Sequence, residues 1–309
     1  VRKLTKFLAG FFFAVVAVAA AAQVQLVVTG AVGNGSDTAA RFFAPILEKH
    51  LQKPVVVVNQ PGADGVIGLR YFAEHAKRQE AILVGATAMG LVSHRKQMDI
   101  DPLQEFVPLH GMSAANGAVF VPANSPLKSM KDVAALYKTK QRVLIGSTGK
   151  IDDVTANQLS EVLGVPLEIV RYKNANQLAT ELVAGLLDMT IGTVGASAYQ
   201  GMADSGLLRP IAIIDDTRNA SMPEVKTLIE QGYTSVLGAR WTALFVHKDM
   251  PEAVRLKFEK AVTDAMKSPE AAAYEKSLGA PKRFMANSKQ VTAVQKNEAV
   301  ILGRLYKPD

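Results

Sequence analysis

Residues 26–47 read LVVTGAVGNGSDTAARFFAPIL. A short apolar run, Leu26 to Thr29, gives way to a glycine-spaced turn and then to an amphipathic stretch. In that stretch Ala39, Phe42, Phe43, Ile46, Leu47 and Leu51 fall at i, i+3, i+4, i+7, i+8 and i+12, which is one stripe of a helix. Pro45 lies inside the stripe, lacks an amide hydrogen and predicts a kink. A strand, a turn of small residues and a helix in succession form the unit from which α/β sheets are assembled.

The unit recurs along the chain. Short runs rich in β-branched and apolar residues lie at Val55 to Val58, Ile82 to Val84, Val119 to Val121, Val143 to Ile145, Ile169 to Tyr172, Met189 to Ile191, Ile211 to Ile214 and Leu244 to Val246. Helical spacing separates most of them, as around Leu178, Leu182 and Leu186 and from Val254 to Met266. The alternation predicts an α/β fold with largely parallel sheets. The turn cluster VPANSPLKSMKD, residues 121–132, predicts a boundary, with Ser129 capping the helix that follows. A second crossing is expected near Gly238 to Thr242. The expected organisation is residues 23–123 plus 240–309 in one lobe and 124–239 in the other, with no internal repeat at a fixed period.

The first 22 residues stand apart. Arg2, Lys3 and Lys6 precede an apolar run from Leu8 to Ala19 and a small-residue end at Ala20, Ala21 and Ala22, which is the layout of a cleavable export signal. The run is short for a bilayer span of about 20 residues. Those three cations carry part of the net charge of +7, so the remainder of the chain is only mildly basic. Basic and aromatic residues are not clustered as a nucleic-acid partner requires. The absence of cysteine excludes disulfides and thiolate chemistry and suits an exported protein that relies on neither.

Ligands of open α/β sheets bind beyond the carboxyl ends of strands, so the loops there carry the chemistry. Gly33, Asn34, Gly35, Ser36, Asp37 and Thr38 follow the first strand, where successive amides ahead of a helix can cradle an anion. An ordinary turn with Ser36 or Asp37 as cap fits the same residues. Ser147, Thr148 and Gly149 repeat the recipe after a later strand. Nucleotide motifs fail: Leu144 and Ile151 break a phosphate loop, and Thr38 stands where the third glycine of a dinucleotide fingerprint belongs. The histidines His50, His75, His94, His110 and His247 never pair at metal-ligand spacing, and Tyr199 breaks the serine-nucleophile pattern begun by Gly195 and Ser197. The adjacent carboxylates Asp152 and Asp153, and Asp215 and Asp216, point to different sides of any regular element. Neither a catalytic set nor a cofactor or metal site is expected.

The order GNGSDTAAR, PVVVVNQPGADGVIG, IDPLQEFVPL, SPLKSMKDV, IGSTG, RYKNANQLATELVAGLLDM, MPEVKTLIEQG, WTALFVHKDMP and SPEAAAYEKSLGAPKRF resembles the periplasmic solute-binding proteins of tripartite tricarboxylate transporters, the Bug or TctC type, as a divergent member. The resemblance implies a two-lobed periplasmic-binding-protein (Venus flytrap) fold with two hinge-strand crossings. It implies a small organic acid held between the lobes, membrane permease subunits as partners and monomeric action. It places ligand-binding residues at Gly33, Asn34, Gly35, Ser36 and Asp37, at Ala86 and Thr87, at Ser147, Thr148 and Gly149, and at Thr193 and Ser197; Asp153, just beyond the second loop, is a further candidate for ligand contact. Closure is then expected to bring the first and second loops to opposite sides of one carboxylate. Asp152 and Asp153 depart from the family pattern and would oppose an anion unless Lys150 offsets them or they point outward. A receptor feeding a signalling system and an enzyme on the same scaffold are the alternative functions.

Overall fold

A computed structural model describes residues 23–76, 80–92, 99–238, 240–279 and 287–305. The expected export segment and His94 lie outside the described residues. Ten strands run β1 Val24–Val28, β2 Val55–Asn59, β3 Ala81–Ala86, β4 Phe106–Ala115, β5 Gly117–Pro122, β6 Leu144–Ser147, β7 Glu168–Arg171, β8 Met189–Thr193, β9 Leu208–Ile214 and β10 Arg240–His247 among those residues. The helices are α1 Gly35–Leu51, α2 Val66–Ala76, α3 Met89–Val92, α4 Pro102–Glu105, α5 Met130–Lys140, α6 Lys150–Leu163, α7 Ala175–Val183, α8 Ser197–Asp204, α9 Glu252–Met266, α10 Pro269–Leu278 and α11 Ser288–Leu305. Pro45 sits within α1, which continues through it.

The strands form two sheets, ordered β2-β1-β3-β10-β4 and β7-β6-β8-β5-β9. The two orders share one plan. Three sequential strands pair in parallel, then a strand arriving from the other half of the chain inserts antiparallel, followed by an edge strand. The expectation of largely parallel sheets is corrected here, because the crossing strands β5 and β10 run against their neighbours. β5 belongs to the second sheet, so the chain passes between sheets at Asn116, upstream of the turn cluster at 121–132. The two passages touch: the Gly117 amide donates to the Gly238 carbonyl at 2.8 Å. A β-carbon on Gly238 would lie 1.9 Å from the Ile214 carbonyl oxygen, so only glycine admits this approach.

Each sheet is covered on both faces, and the period-2 alternation of its strands sorts side chains into two cores. In the first sheet Leu26, Val28, Ile82, Val84, Leu244 and Val246 pack on one side with Phe43, Leu47 and Phe258. Val27, Leu83, Ala243 and Phe245 face the other side with Leu69, Phe72 and Phe106. In the second sheet Val119 and Val121 join one core with Val143, Ile145 and Leu159, while Ala118 and Phe120 join another with Leu178, Leu182 and Tyr199. Helices thus lie on both faces of each sheet, which leaves the strand ends free to build a site.

Candidate functional site

The carboxyl ends of both sheets face one another across a cavity of about 530 Å³. From the first sheet its wall takes Thr29–Ala31 and Asn34–Ser36 after β1, Pro61–Gly65 after β2 and Ala86–Ala88 after β3. From the second it takes Thr148–Asp152 after β6, Tyr172, Lys173 and Ala175 after β7, and Thr193–Ala196 after β8. Ser113 and Ala115 of β4, Arg240, Trp241 and Thr242 of β10, and Tyr274 and Leu278 of α10 complete it. Contacts already bridge the two sides: Thr38 Oγ1 lies 3.3 Å from Ser197 Oγ, and Ser197 Oγ donates to the Gly33 carbonyl.

The turn before α1 is fixed by its own polar groups. Asn34 is the cap, with extended backbone, and its Oδ1 accepts from the Asp37 amide at 2.9 Å and from Ser36 Oγ at 2.9 Å. Asp37 reaches back to accept from the Gly33 amide at 2.9 Å, a reciprocal arrangement of the capping-box kind. Asn59 Nδ2 and Arg41 Nε also donate to the Asp37 carboxylate, which is buried. The cap is therefore neither Ser36 nor Asp37 but Asn34. Its first-turn amides at Gly35 and Ser36 belong to the group that helix geometry leaves without an intrahelical partner, and both residues line the cavity.

The facing turn before α6 is arranged differently. Gly149 caps α6 without a side-chain bond. The Thr148 amide and hydroxyl both donate to Asp152 Oδ2, at 3.1 and 2.9 Å, and the Gly149 amide donates to Ser147 Oγ at 3.3 Å. The Lys150 amide donates to Oδ1 of Asp64, a residue of the opposite sheet's β2–α2 loop, at 3.0 Å. The amides expected to meet a ligand carboxylate thus donate to oxygen atoms of the chain itself.

Between the two turns stands Arg240, the first residue of β10. Its side chain is 12% exposed. Nη2 approaches Asp152 Oδ1 at 3.3 Å and Thr155 Oγ1 at 3.4 Å, while Nη1 is buried with no hydrogen-bond partner among the described residues. Burial raises the Asp152 pKa above the ordinary carboxylate value, and the guanidinium opposes that rise. The Thr148 amide, the Thr148 hydroxyl and Arg240 Nη2 all donate to the carboxylate, as an ionised group requires. The neighbouring Trp241 is pinned by its amide, which donates to Thr87 Oγ1, and by Nε1, which donates to buried Glu298 of α11.

Of the residues expected from sequence, Asn34, Gly35, Ser36, Ala86, Thr87, Thr148, Gly149 and Thr193 come together on the cavity wall. Gly33, Asp37, Ser147, Asp153 and Ser197 are not in its lining. Gly33 and Asp37 hold the α1 turn from behind, and Ser197 meets Thr38 and Gly33 at the edge of the contact between sheets. Ser147 Oγ donates to Asp153 Oδ1 at 2.6 Å, and Arg171 donates to Asp153 Oδ2 at 2.8 Å, so this carboxylate is buried away from the cavity. Asp152, rather than Asp153, is the member of the pair that faces inward. The residues missed include the Pro61–Gly65 loop, Tyr172 and Lys173, and Arg240 to Thr242. The rule that strand ends build sites applies equally to β2 and β7, and Arg240 stood out as a lone charge before the apolar run WTALFV. Among the described residues no group of three His, Asp or Glu side chains could hold a metal ion.

Residues 39–306 match the family model described as tripartite tricarboxylate transporter family receptor, TctC. The chain belongs to this family. Among its relatives, this TctC-family receptor is 25% identical to protein BugT of Bordetella pertussis over 282 residues, 86% of each chain. Its fold matches MatC of Rhodopseudomonas palustris with bound malate at a TM-score of 0.81 and 20% identity, covering 92% of this chain and 98% of that one. It matches the periplasmic binding protein BugD at 0.81 and 24% identity, covering 92% and 96%. A second R. palustris protein, with adipate, matches at 0.84 and 20% identity, covering 92% and 95%. The two mixed sheets are those of the periplasmic-binding-protein fold. Among the described residues no helix is long and apolar enough to cross a membrane.

Proposed function

We propose that this receptor captures a small organic acid by closing its two lobes, residues 23–115 with 240–305 against 117–238, and hands it to the permease subunits of a tripartite tricarboxylate-type transporter. It acts as a monomer and a carrier rather than a catalyst, in the periplasm, after removal of residues 1–22 as an export signal. The observation that carries this is the Arg240 guanidinium: the side chain lines the cavity, Asp152 fixes Nη2, and the buried Nη1 has no hydrogen-bond partner among the described residues. A ligand carboxylate at Nη1 satisfies that donor with a charge-assisted hydrogen bond, and the α1 amides of Gly35 and Ser36 supply further donors with the helix dipole behind them. Ser36, Thr87 and Thr193 offer hydroxyls for the rest of the molecule. The malate and adipate in the two R. palustris proteins support the choice of an organic acid.

Closure stores the binding energy in contacts between lobes, and only a ligand that touches both sides favours the closed form. Native mass spectrometry of the purified mature chain tests this by revealing a retained small acid. A thermal-shift screen of mono-, di- and tricarboxylates follows, since a ligand at a hundred times its Kd stabilises the fold by about 2.7 kcal/mol. A chain that retains nothing and melts at one temperature with every acid overturns the proposal.

A further inference from the structure

The chain's own carboxylates stand at one end of the cavity. Asp64 and Asp152 both meet the start of α6, one from the opposite sheet and one from the first turn of the helix itself. Between them they take the Lys150 amide, the Thr148 amide and the Thr148 hydroxyl, which are the donors a second ligand carboxylate would need there. Asp64 is delivered by a turn in which Ala63 and Asp64, neither of them glycine, adopt the left-handed conformation with φ of 46° and 53°. Held this way, its carboxylate crosses the gap between the sheets. Among the described residues the charged side chains of the lining are Lys150, Lys173 and Arg240 against Asp64 and Asp152, one positive charge in excess.

Building on the receptor proposal above, we infer that the site selects a monocarboxylate whose far end carries hydrogen-bond donors, a hydroxyl, amide or ammonium group, and discriminates against dicarboxylates of the same length. The ligand carboxylate takes Arg240 Nη1 and the α1 turn, and its donor-bearing end approaches Asp64 and Asp152. A dicarboxylate cannot satisfy both ends. Its second anion would face two carboxylates at a turn whose Thr148, Gly149 and Lys150 amides are already engaged, and like charges brought together out of water repel strongly. A hydroxy or amide monocarboxylate then also matches the single excess positive charge of the lining.

Titration calorimetry of the mature chain with 6-hydroxyhexanoate and adipate, matched in length, tests this directly. The native chain is expected to bind 6-hydroxyhexanoate tighter than adipate by about tenfold or more. Asp64→Asn keeps a residue that tolerates the left-handed turn, and it is expected to narrow that ratio by strengthening adipate binding. Asp152→Asn is expected to act in the same direction, with thermal melting used to confirm that both variants fold. Adipate binding as tightly as the hydroxy acid to the native chain, or a ratio unchanged in both folded variants, overturns the inference while leaving the receptor proposal standing. Binding of neither compound to the native chain or to either variant overturns both.

Discussion

Replacing Arg240 by Gln removes the charge from a mostly buried cationic side chain of the cavity wall that Asp152 already orients. Two losses add for a bound carboxylate. The charge-assisted hydrogen bond from Nη1 contributes about 1.5–3 kcal/mol. The longer-range attraction between unit charges about 4 Å apart is worth up to about 4 kcal/mol at an effective dielectric of 20, part of which Asp152 already offsets. A net loss of about 3–4 kcal/mol corresponds to a weakening of about a hundredfold to a thousandfold. The same substitution leaves Asp152 unpaired and is expected to lower the melting temperature, because breaking a mostly buried pair is strongly destabilising. The double variant Arg240→Gln with Asp152→Asn removes both charges, so it is expected to recover stability while remaining a poor binder. Calorimetry at fixed ionic strength, with melting curves for all three proteins, separates the two effects. A single variant that binds a small organic acid within about threefold of the native chain would refute the assignment of Arg240 as the anion anchor.

Gly35→Val places a β-carbon 3.2 Å from Thr193 Cγ2 across the cavity, so it is expected to oppose closure and abolish binding in calorimetry while the melting temperature without ligand stays near native. Trp241 is the sole tryptophan and lines the cavity, so ligand titration is expected to change its fluorescence, and Trp241→Phe is expected to remove that signal while heat of binding persists. Gly238→Ala forces a β-carbon against the Ile214 carbonyl where the two passages between sheets touch, and a clear fall in chemical-denaturation midpoint is expected. At the start of α5 the Asp132 pKa is held below the ordinary carboxylate value, first by the Lys128 amide and also by Ser129. A group whose pKa is depressed by folding contributes stability above its unfolded pKa of about 3.9 and loses it as pH falls through the lowered value. Asp132→Ala is therefore expected to destabilise the chain at neutral pH, by about 1 kcal/mol for a lost cap partner, with the difference vanishing in strong acid.

The α/β character and nine of the ten strands were legible because their apolar runs are short, β-branched and bounded by turns. β4 was not, since Pro108, His110 and Gly111 interrupt its run. It is an edge strand, and its pairing shifts register near Pro108, which is where a strand tolerates a proline. The antiparallel insertion of β5 and β10 was hidden because strand direction depends on which lobe a strand arrives from, and composition does not carry that. Eight residues of the cavity wall, from Asn34 to Thr193, followed from the rule about strand ends applied to β1, β3, β6 and β8. Asp64 escaped because its role depends on a contact with a residue 86 positions later in the chain. The choice between Asp152 and Asp153 was equally out of reach, since adjacent residues on a helix diverge and only the neighbours Arg171 and Arg240 decide which one each carboxylate meets.

The central claim is that one ligand carboxylate sits on the Arg240 guanidinium between the α1 turn and the lobe that faces it. A crystal structure of the mature chain grown with the tightest-binding acid from the thermal-shift screen measures it most directly. A carboxylate oxygen within hydrogen-bonding distance of Arg240 Nη1, with Asp64 still on the Lys150 amide, is the predicted result. A ligand bound outside this cavity, or one whose carboxylate displaces Asp64 from the α6 turn and leaves Nη1 without a partner, would contradict it.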